Sequence, residues 1–308
     1  MIEASQAERM TAVADLIVRA LALRPMNCLA GIWPEGVTAT VQPTDNRVRQ
    51  LRVAPMANRH VATDRIGIFW GRDHVWSGLL REIMVRYLAG DEALRPIRLP
   101  ELVARTGLSA TSVYYAIRTA VETGDFTKVR SKYDKRVNIL VPSLEMHEYF
   151  EQDIKDNLRV FAVFCGRPRL DPAHLGQVGG REFRRLMIRS MSLLPGQLSE
   201  EAAARAHRSF FYLMWDLLLE PELGGRGFVA NMAKQMNVAF STIARVVEHG
   251  RSEGWFEAGE ALRPSAMARY RYAMMFTVFE ARCNLLLDAL EAVAAEPALA
   301  PALDPGMM

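Results

Sequence analysis

The stretch between residues 99 and 141 constrains the fold more than any other part of the chain. A helical segment begins at Pro100, which suits the first turn of a helix, and Gly107 follows where a left-handed residue can end it. Ser109 is a good N-cap for a second helix, and Gly124 would end that helix. After Gly124 the apolar pattern changes from a helical period to two short extended runs. The stretch therefore predicts a helix-turn-helix followed by a β-hairpin.

The second predicted helix has two faces of different character. Its apolar residues recur at helical spacing and are expected to face a core: Val113, Ala116, Ile117 and Ala120. The opposite face is polar and aromatic. A helix of this kind fits the major groove of duplex DNA, where hydroxyl and guanidinium groups reach base edges and phosphates. The candidate DNA-binding residues of this helix are Ser109, Thr111, Ser112, Tyr114, Tyr115 and Arg118.

The predicted hairpin, Phe126–Arg130 and Val137–Val141, is basic. Between its two ends there are five basic residues and one acidic residue, Asp134. A cationic hairpin beside a polar helix can bind backbone phosphates or enter the minor groove. A hairpin used only for protein contacts stays the alternative, since a fold does not fix a function. The candidate DNA-binding residues of the hairpin are Lys128, Arg130, Lys132, Lys135 and Arg136.

The helices and the hairpin together resemble the winged helix of the MarR family of bacterial transcription regulators. The resemblance covers residues 73–145 and includes the run YDKRVNILVPS. In that family the hairpin, or wing, carries Asp-x-Arg before its last strand, and Asp134-Lys135-Arg136 stands in that place. The resemblance implies that Arg136 enters the minor groove and that Asp134 is its structural partner.

The second half of the chain repeats the same pattern at a shift of 130 residues. The shift aligns, without a gap, Met232 with Leu102, Val238 with Leu108, Ile243 with Val113, Val247 with Ile117, Gly254 with Gly124 and Phe256 with Phe126. Apolar positions and the closing glycine thus recur together, which indicates an internal duplication. The second unit adds Ser241, Thr242 and Arg245 as candidate DNA-binding residues.

The second unit is less suited to phosphate than the first. Between Trp255 and Tyr270 two acidic residues stand against two arginines, and negative charge repels phosphate at short range. This unit is therefore either a weaker DNA reader or a structural partner of the first, and the sequence leaves both open. Pairing of the two units would mimic a dimer within one chain.

These patterns predict a mainly α chain with small β-wings, built from tandem winged helix-turn-helix domains and long flanking helices. Residues 37–43 alternate like a strand within an otherwise irregular segment. The predicted divisions are an N-terminal helix and irregular arm at 1–72, a first winged-helix domain at 73–165, a linker and short basic helix at 166–200, a second winged-helix domain at 201–263, and a long C-terminal helix and tail at 264–308.

The predicted C-terminal helix carries an apolar stripe whose members are separated alternately by four and three residues: Tyr272, Phe276, Phe279, Cys283, Leu286, Leu290 and Val293. Such a stripe packs either in the core of its own chain or against a second chain, and both alternatives stay open. In regulators that resemble MarR the terminal helices build the dimer, so the resemblance favours a homodimer through these helices.

Composition and motifs argue against several classes of function. The net charge of +3 is mildly basic and consistent with a nucleic-acid partner. Three scattered cysteines indicate buried thiols in a reducing cytoplasm and not a disulfide framework or a zinc site. No signal peptide, membrane span, nucleotide-binding loop or hydrolase motif is evident. We therefore expect a protein that is not an enzyme, has no membrane partner and needs no metal or cofactor.

The sequence predicts a sequence-specific binder of double-stranded DNA that regulates transcription, located in the bacterial cytoplasm and associated with the nucleoid. Two alternatives remain: a plasmid replication initiator with two winged helices, and a non-catalytic interaction scaffold for chromosome maintenance. A small-molecule effector is left open, because related regulators often sense small aromatic compounds. No residue of this sequence identifies such a ligand.

Overall fold

A computed structural model describes residues 11–12, 15–16, 18–20, 22–23, 27–52, 65–70, 74–88, 99–106, 108–131, 138–167, 208–236 and 238–294. These residues are mostly helical, and they include one antiparallel sheet of two strands. This agrees with the predicted mainly α chain with a small β element. The predicted basic helix of the linker, within residues 168–207, lies outside the described residues, as does the C-terminal tail.

The helices follow one another in the order α1 (Asn27–Ala30), α2 (Arg65–Trp70), α3 (His74–Leu88), α4 (Leu99–Thr106), α5 (Ala110–Glu122), α6 (Leu144–Phe164), α7 (Arg208–Leu219), α8 (Phe228–Gln235), α9 (Phe240–Ser252) and α10 (Ala266–Ala294). The strands β1 (Phe126–Arg130) and β2 (Asn138–Pro142) form the hairpin between α5 and α6. A 3₁₀ turn follows α7 at Pro221–Gly224. Helical residues also occur at 46–52 and among the described part of 11–22.

The first core forms where α2, α3, α4, α5 and the hairpin meet. The predicted start and end of α5 are confirmed: the Ser109 hydroxyl accepts a hydrogen bond from the Ser112 N–H at 3.1 Å, and Gly124 has a φ of 82°. The apolar side chains that fill this core include Trp70, Ile83, Leu102, Val113, Ala116 and Phe126. Since Trp70 is fully buried here, α2 belongs to this core and not to the N-terminal arm in which the sequence placed it.

A buried carboxylate fixes the base of the hairpin. Asp125 is fully buried, and its Oδ2 accepts a hydrogen bond from the Trp70 indole N–H at 3.1 Å. Its other oxygen forms an ion pair with Arg65. The backbone N–H of Ser143 donates to the Asp125 carbonyl at 2.9 Å. Asp125 therefore connects α2, the first residue of the hairpin and the start of α6.

The second core repeats the helix order of the first with a much smaller β element. Helices α5 and α9 are both 13 residues long, and Gly254 ends α9 with a φ of 74°. Where the sequence predicted a second wing, however, the described residues form one isolated bridge between Phe256 and Pro264. The prediction of a second β-wing was wrong on this point, because the chain reverses between Phe256 and Pro264. The backbone hydrogen bonds that close this short loop run from the Glu257 N–H to the Arg263 carbonyl and from the Ser265 N–H to the Trp255 carbonyl, each at 2.9 Å.

In both units a serine closes the hairpin or bridge and starts the next helix. The Ser143 N–H donates to the Asp125 carbonyl and the Ser265 N–H donates to the Trp255 carbonyl, each at 2.9 Å. Each hydroxyl accepts a hydrogen bond from the backbone N–H three residues later, at 3.1 and 3.2 Å. Because the second β element is shorter, one fixed shift of the sequence does not align these two serines.

Helix α6 contributes to both cores. Its first half places Met146 and Phe150 in the first core, and its second half places Leu158 and Phe161 in the second. Ile154 packs against both. The predicted domain boundary at residue 165 therefore does not separate the two cores, since one continuous helix of 21 residues passes from one to the other.

The N-terminal arm packs on the second core. Residues 37–40 are not a strand as the alternating sequence predicted; instead, the backbone N–H groups of Thr40 and Val41 both donate to the Thr277 hydroxyl at 2.9 Å. Arg52 makes two hydrogen bonds to Asp216, at 2.7 and 3.1 Å. These side-chain partners replace the neighbouring strand that an isolated extended segment would need.

The described side chains of the apolar stripe of α10, from Tyr272 to Leu290, lie in the core of their own chain; the Val293 side chain lies outside the described part of the structure. Tyr272, Phe276, Cys283, Leu286 and Leu290 are all buried. Phe279 is half-buried, with its ring 5.5 Å from that of Phe161 and 5.6 Å from that of Phe164 on α6. This part of the stripe is thus occupied by intrachain contacts, and a homodimer would need another surface.

We predict that Gly250→Ala lowers the free energy of unfolding by about 1–3 kcal/mol, because the core has no room for the added methyl group. A Cβ at Gly250 would lie 2.5 Å from Cε2 of Phe256 and 2.9 Å from Cε2 of Phe210, and both rings are buried. The measurement is urea denaturation followed by tryptophan fluorescence.

The matched control is Gly78→Ala on α3, where nothing lies within 4 Å of an added Cβ. Alanine is the better helix former by about 1 kcal/mol, so this change should leave the protein as stable or make it more stable. Equal stabilisation by both substitutions would contradict the packing described around Gly250.

Candidate nucleic-acid interface

The outer face of α5 is open to solvent within the part of the chain that the structure describes. Tyr114 and Tyr115 are 59% and 55% exposed, the Arg118 side chain is 63% exposed, and Thr111 is exposed. On the opposite face Val113, Ala116 and Ala120 are buried. No described segment covers the predicted reading face, so a duplex could reach these side chains.

The two serines at the start of α5 are engaged by the helix itself. Besides its cap to the Ser112 N–H, the Ser109 hydroxyl lies 2.9 Å from the Ser112 hydroxyl in a direct hydrogen bond. Ser109 satisfies one of the backbone donors that every helix start leaves free. A DNA contact by either hydroxyl would therefore compete with this cap, whereas the Thr111 hydroxyl has no such bond among the described residues.

The two adjacent tyrosines, Tyr114 and Tyr115, differ in the contacts that hold their rings. The Tyr115 ring packs edge-on against Trp76 with the centroids 6.4 Å apart, and Trp76 on α3 is buried and in edge contact with Phe69. Tyr115 is therefore held by the core at one edge while more than half of it faces solvent. Tyr114 makes no aromatic contact among the described rings, so its orientation is less constrained.

Arg118 is paired along its own helix. Its Nε donates to the Glu122 carboxylate at 2.7 Å, a spacing of four residues that favours this contact. The hydrogen bond to Glu122 and the charge of that carboxylate raise the pKa of Arg118 above its ordinary value. The guanidinium is thus charged at every physiological pH. Glu122 holds its Nε–H, so a base or phosphate would bind the terminal amino groups.

Strand β1 presents two cations without a carboxylate partner among the described residues. Lys128 lies opposite Leu140 and Arg130 opposite Asn138, and because strand residues alternate faces, the two cations share one side of the hairpin. Both side chains are exposed. They are therefore available for phosphate. The predicted tip residues Lys132, Asp134, Lys135 and Arg136 lie outside the described residues.

The corresponding face of α9 has a different charge pattern. Ser241 and Arg245 are exposed and Thr242 is half-buried, but the Arg245 Nε donates back to the Ser241 carbonyl at 3.3 Å. At the shift of 130 residues, Arg118 corresponds to Glu248, which is exposed. A carboxylate where the first unit has a guanidinium weakens the case for phosphate or base contact by this helix.

A cavity of about 400 Å³ opens beside the second core. Its floor is apolar, and its rim carries charged side chains from the 3₁₀ turn, the bridge and α10: Glu222, Glu257, Arg263 and Arg269. Arg269 is bound to Glu257 at 3.2 Å and to the Pro264 carbonyl at 2.6 Å. A small-molecule effector stays a prediction, since this lining does not select one chemical class.

The sequence did not identify two acidic residues that shape the interface. Glu122 neutralises Arg118, and its position four residues later is a readable signal for a helical ion pair. Asp125 anchors the hairpin, but its partners are far away in sequence, and no local pattern indicates them. Among the described residues there is no group of His, Cys, Asp and Glu suited to a metal ion.

Comparison of the chain with protein-family models, with curated proteins and with solved structures found no match. Within the described ranges, every helix is too short or too polar to cross a lipid bilayer. The geometry of α5 and the hairpin is therefore what indicates a function.

We predict that Tyr115→Ala lowers the free energy of unfolding by about 1 kcal/mol more than Tyr114→Ala, because only Tyr115 contacts the Trp76 ring. Tyr114→Ala should stay within about 0.5 kcal/mol of the unmodified protein, as exposed side chains usually do. Chemical denaturation of both variants in parallel gives the difference. Equal losses would mean that Tyr115 does not depend on Trp76.

Proposed function

We propose that this protein is a sequence-specific binder of double-stranded DNA that regulates transcription. In this proposal the chain is a tandem of winged helix-turn-helix units, and α5 of the first unit is the principal reading helix. The single observation that carries the proposal is the placement of an exposed polar and aromatic helix face next to a hairpin whose exposed cations have no carboxylate partner among the described residues. The resemblance to MarR regulators adds to it.

The reading step would use the side chains of α5. An α-helix fits the major groove, where the pattern of hydrogen-bond donors and acceptors distinguishes all four base pairs. Arg118 can donate two hydrogen bonds to guanine, and the Thr111 hydroxyl and methyl can approach base edges. Tyr115, supported by Trp76, would present its hydroxyl from a fixed ring, which lowers the entropy lost on binding.

The positioning step would use the hairpin. Lys128 and Arg130 can bind phosphates of the backbone beside the groove that α5 occupies, and such contacts orient a protein on DNA without reading sequence. The anchor at Asp125 holds the base of the hairpin to α2 and α6. The cations are therefore held at a fixed distance from the reading helix, which is what simultaneous contact with groove and backbone requires.

The second unit is best explained as a partner of the first. Its helix α9 has Glu248 at the position of Arg118, and its Arg245 is engaged by its own backbone. In both units a serine after the hairpin or bridge makes the same backbone hydrogen bonds, which supports a common origin of the two units. The second unit has no extended hairpin, and so it lacks the element that would hold phosphate. We infer that the second unit stabilises α6 and the arm and contributes little direct affinity for DNA.

The experiment that tests the proposal is in vitro selection of duplexes from a random pool with the full chain, at one stated salt concentration. Enrichment of one motif, confirmed by fluorescence anisotropy with that duplex and with a scrambled one, would support a sequence-specific DNA binder. Binding to both duplexes with the same affinity would contradict sequence specificity. The absence of salt-dependent affinity for any duplex would contradict DNA binding and favour a protein-interaction scaffold.

We predict that Lys128→Ala and Arg130→Ala each flatten the plot of log affinity against log salt by about one unit, on the selected and the scrambled duplex alike. Each removes one cation that releases counterions from the phosphate backbone. The matched control is Arg263→Ala, which removes an exposed arginine beside the bridge of the second unit. The assignment fails if the hairpin variants keep the original slope or if the control changes it equally.

We predict that Arg118→Ala weakens binding to the selected duplex by about 1–3 kcal/mol while affinity for the scrambled duplex changes much less. The reason is that a base contact is lost only where the correct base is present. Arg245→Ala, the same change at an exposed arginine of α9, should cost less on the selected duplex. An equal loss on both duplexes for Arg118→Ala would show that this arginine binds phosphate instead of a base.

A further inference from the structure

Two of the three cysteines, far apart in sequence, meet where α6 ends on α10. Cys165 is the C-cap residue of α6 and is half-buried, whereas Cys283 lies within α10 and is fully buried. The Cys165 thiol donates to the backbone carbonyl of Glu280 at a sulfur–oxygen distance of 3.8 Å. Cys283 follows Glu280 by three residues, on the same face of α10.

The geometry of α10 brings the Cys283 side chain toward the same carbonyl. In a helix a side chain lies beside the backbone carbonyls three and four residues earlier, so the Cys283 thiol and the Cys165 thiol both lie near the Glu280 carbonyl. Phe164, next to Cys165, packs on Phe279 with the ring centroids 5.6 Å apart, which places the end of α6 on this face of α10. Burial, and the nearby Cys165 thiol, raise the pKa of the Cys283 thiol well above its ordinary value.

We propose that Cys165 and Cys283 are a redox-active pair that hydroperoxides convert into an intramolecular disulfide. This goes beyond the proposed DNA binding and does not depend on it. Of the two residues, only Cys165 is partly open to solvent, so we expect it to meet the oxidant first. Accessibility and the thiolate form both govern which cysteine reacts with peroxide.

The chemistry balances in two steps. The Cys165 thiolate attacks one oxygen of hydrogen peroxide, the O–O bond breaks, and the products are a sulfenic acid and hydroxide, which takes up the proton that Cys165 released to give water. The Cys283 sulfur then attacks the sulfenic sulfur. The S–S bond forms, the S–O bond breaks, and the leaving hydroxide takes the Cys283 proton. Each sulfur loses one electron, and peroxide is reduced to two molecules of water.

The disulfide would attach the end of α6 to α10 covalently. Helix α6 carries side chains of both cores, so the bond would secure the helix that the two cores share. It would also close a long loop between Cys165 and Cys283, which restricts the unfolded chain more than the folded one. Oxidation should therefore shift the urea midpoint of unfolding upward, and a reducing agent should reverse the shift.

The test exposes the reduced full chain to hydrogen peroxide, removes the oxidant, blocks free thiols with an alkylating reagent and counts them under denaturing conditions. The expected result is that one of the three thiols of this sequence stays free, that mass mapping finds one peptide pair joined through Cys165 and Cys283, and that dithiothreitol restores all three. The urea midpoint is measured before and after oxidation.

The matched control is Cys28→Ser, which should still lose two thiols and gain the same shift in midpoint. Cys165→Ser should lose the linked peptide and the shift, and so should Cys283→Ala, a second variant in case a buried serine is poorly tolerated. Three free thiols after peroxide treatment, a linked peptide that contains Cys28, or an unchanged shift in Cys165→Ser would each overturn the proposal.

Discussion

Helix α6 is the constraint on which the rest of the structure depends. It is 21 residues long, and at a rise of 1.5 Å per residue it spans about 31 Å. Met146 and Phe150 at one end complete the first core, and Leu158 and Phe161 at the other complete the second. Because one stiff helix supplies apolar surface to both, neither core is complete without it. The two units are therefore parts of one packed structure, even though their helix order repeats.

The local features of the fold were readable from the sequence, and the long-range ones were not. The cap at Ser109, the glycine at the end of α5 and the apolar face of that helix follow rules that operate over a few residues. The position of the N-terminal arm depends on contacts such as Arg52 with Asp216, 164 residues apart. No periodicity carries that information. The same limit hid the pairing of Asp125 with Trp70 and Arg65, and the contact of Cys165 with the Glu280 carbonyl on α10.

The candidate interface shows the same division. The pattern of α5 predicted which side chains would face outward, and Tyr114, Tyr115 and Arg118 do so. The pattern does not show what each group already contacts. The Ser109 hydroxyl caps the helix, Arg118 is hydrogen-bonded to Glu122, and the Tyr115 ring packs against Trp76. These differences decide which residues a partner can bind without breaking a contact that the protein already makes. They arise from neighbours one helical turn away or on another helix, so composition alone does not show them.

The docking of the arm on the second core has a consequence for synthesis of the protein. The first core draws its described side chains from residues 66 to 154, so it can assemble as soon as that part of the chain has left the ribosome. The arm precedes it in the chain, yet its partners Asp216, Thr277 and Glu280 are made much later. The arm must therefore wait for a much later part of the chain before it reaches its native position. Until then its arginines lack these carboxylate partners and can bind other acidic surfaces.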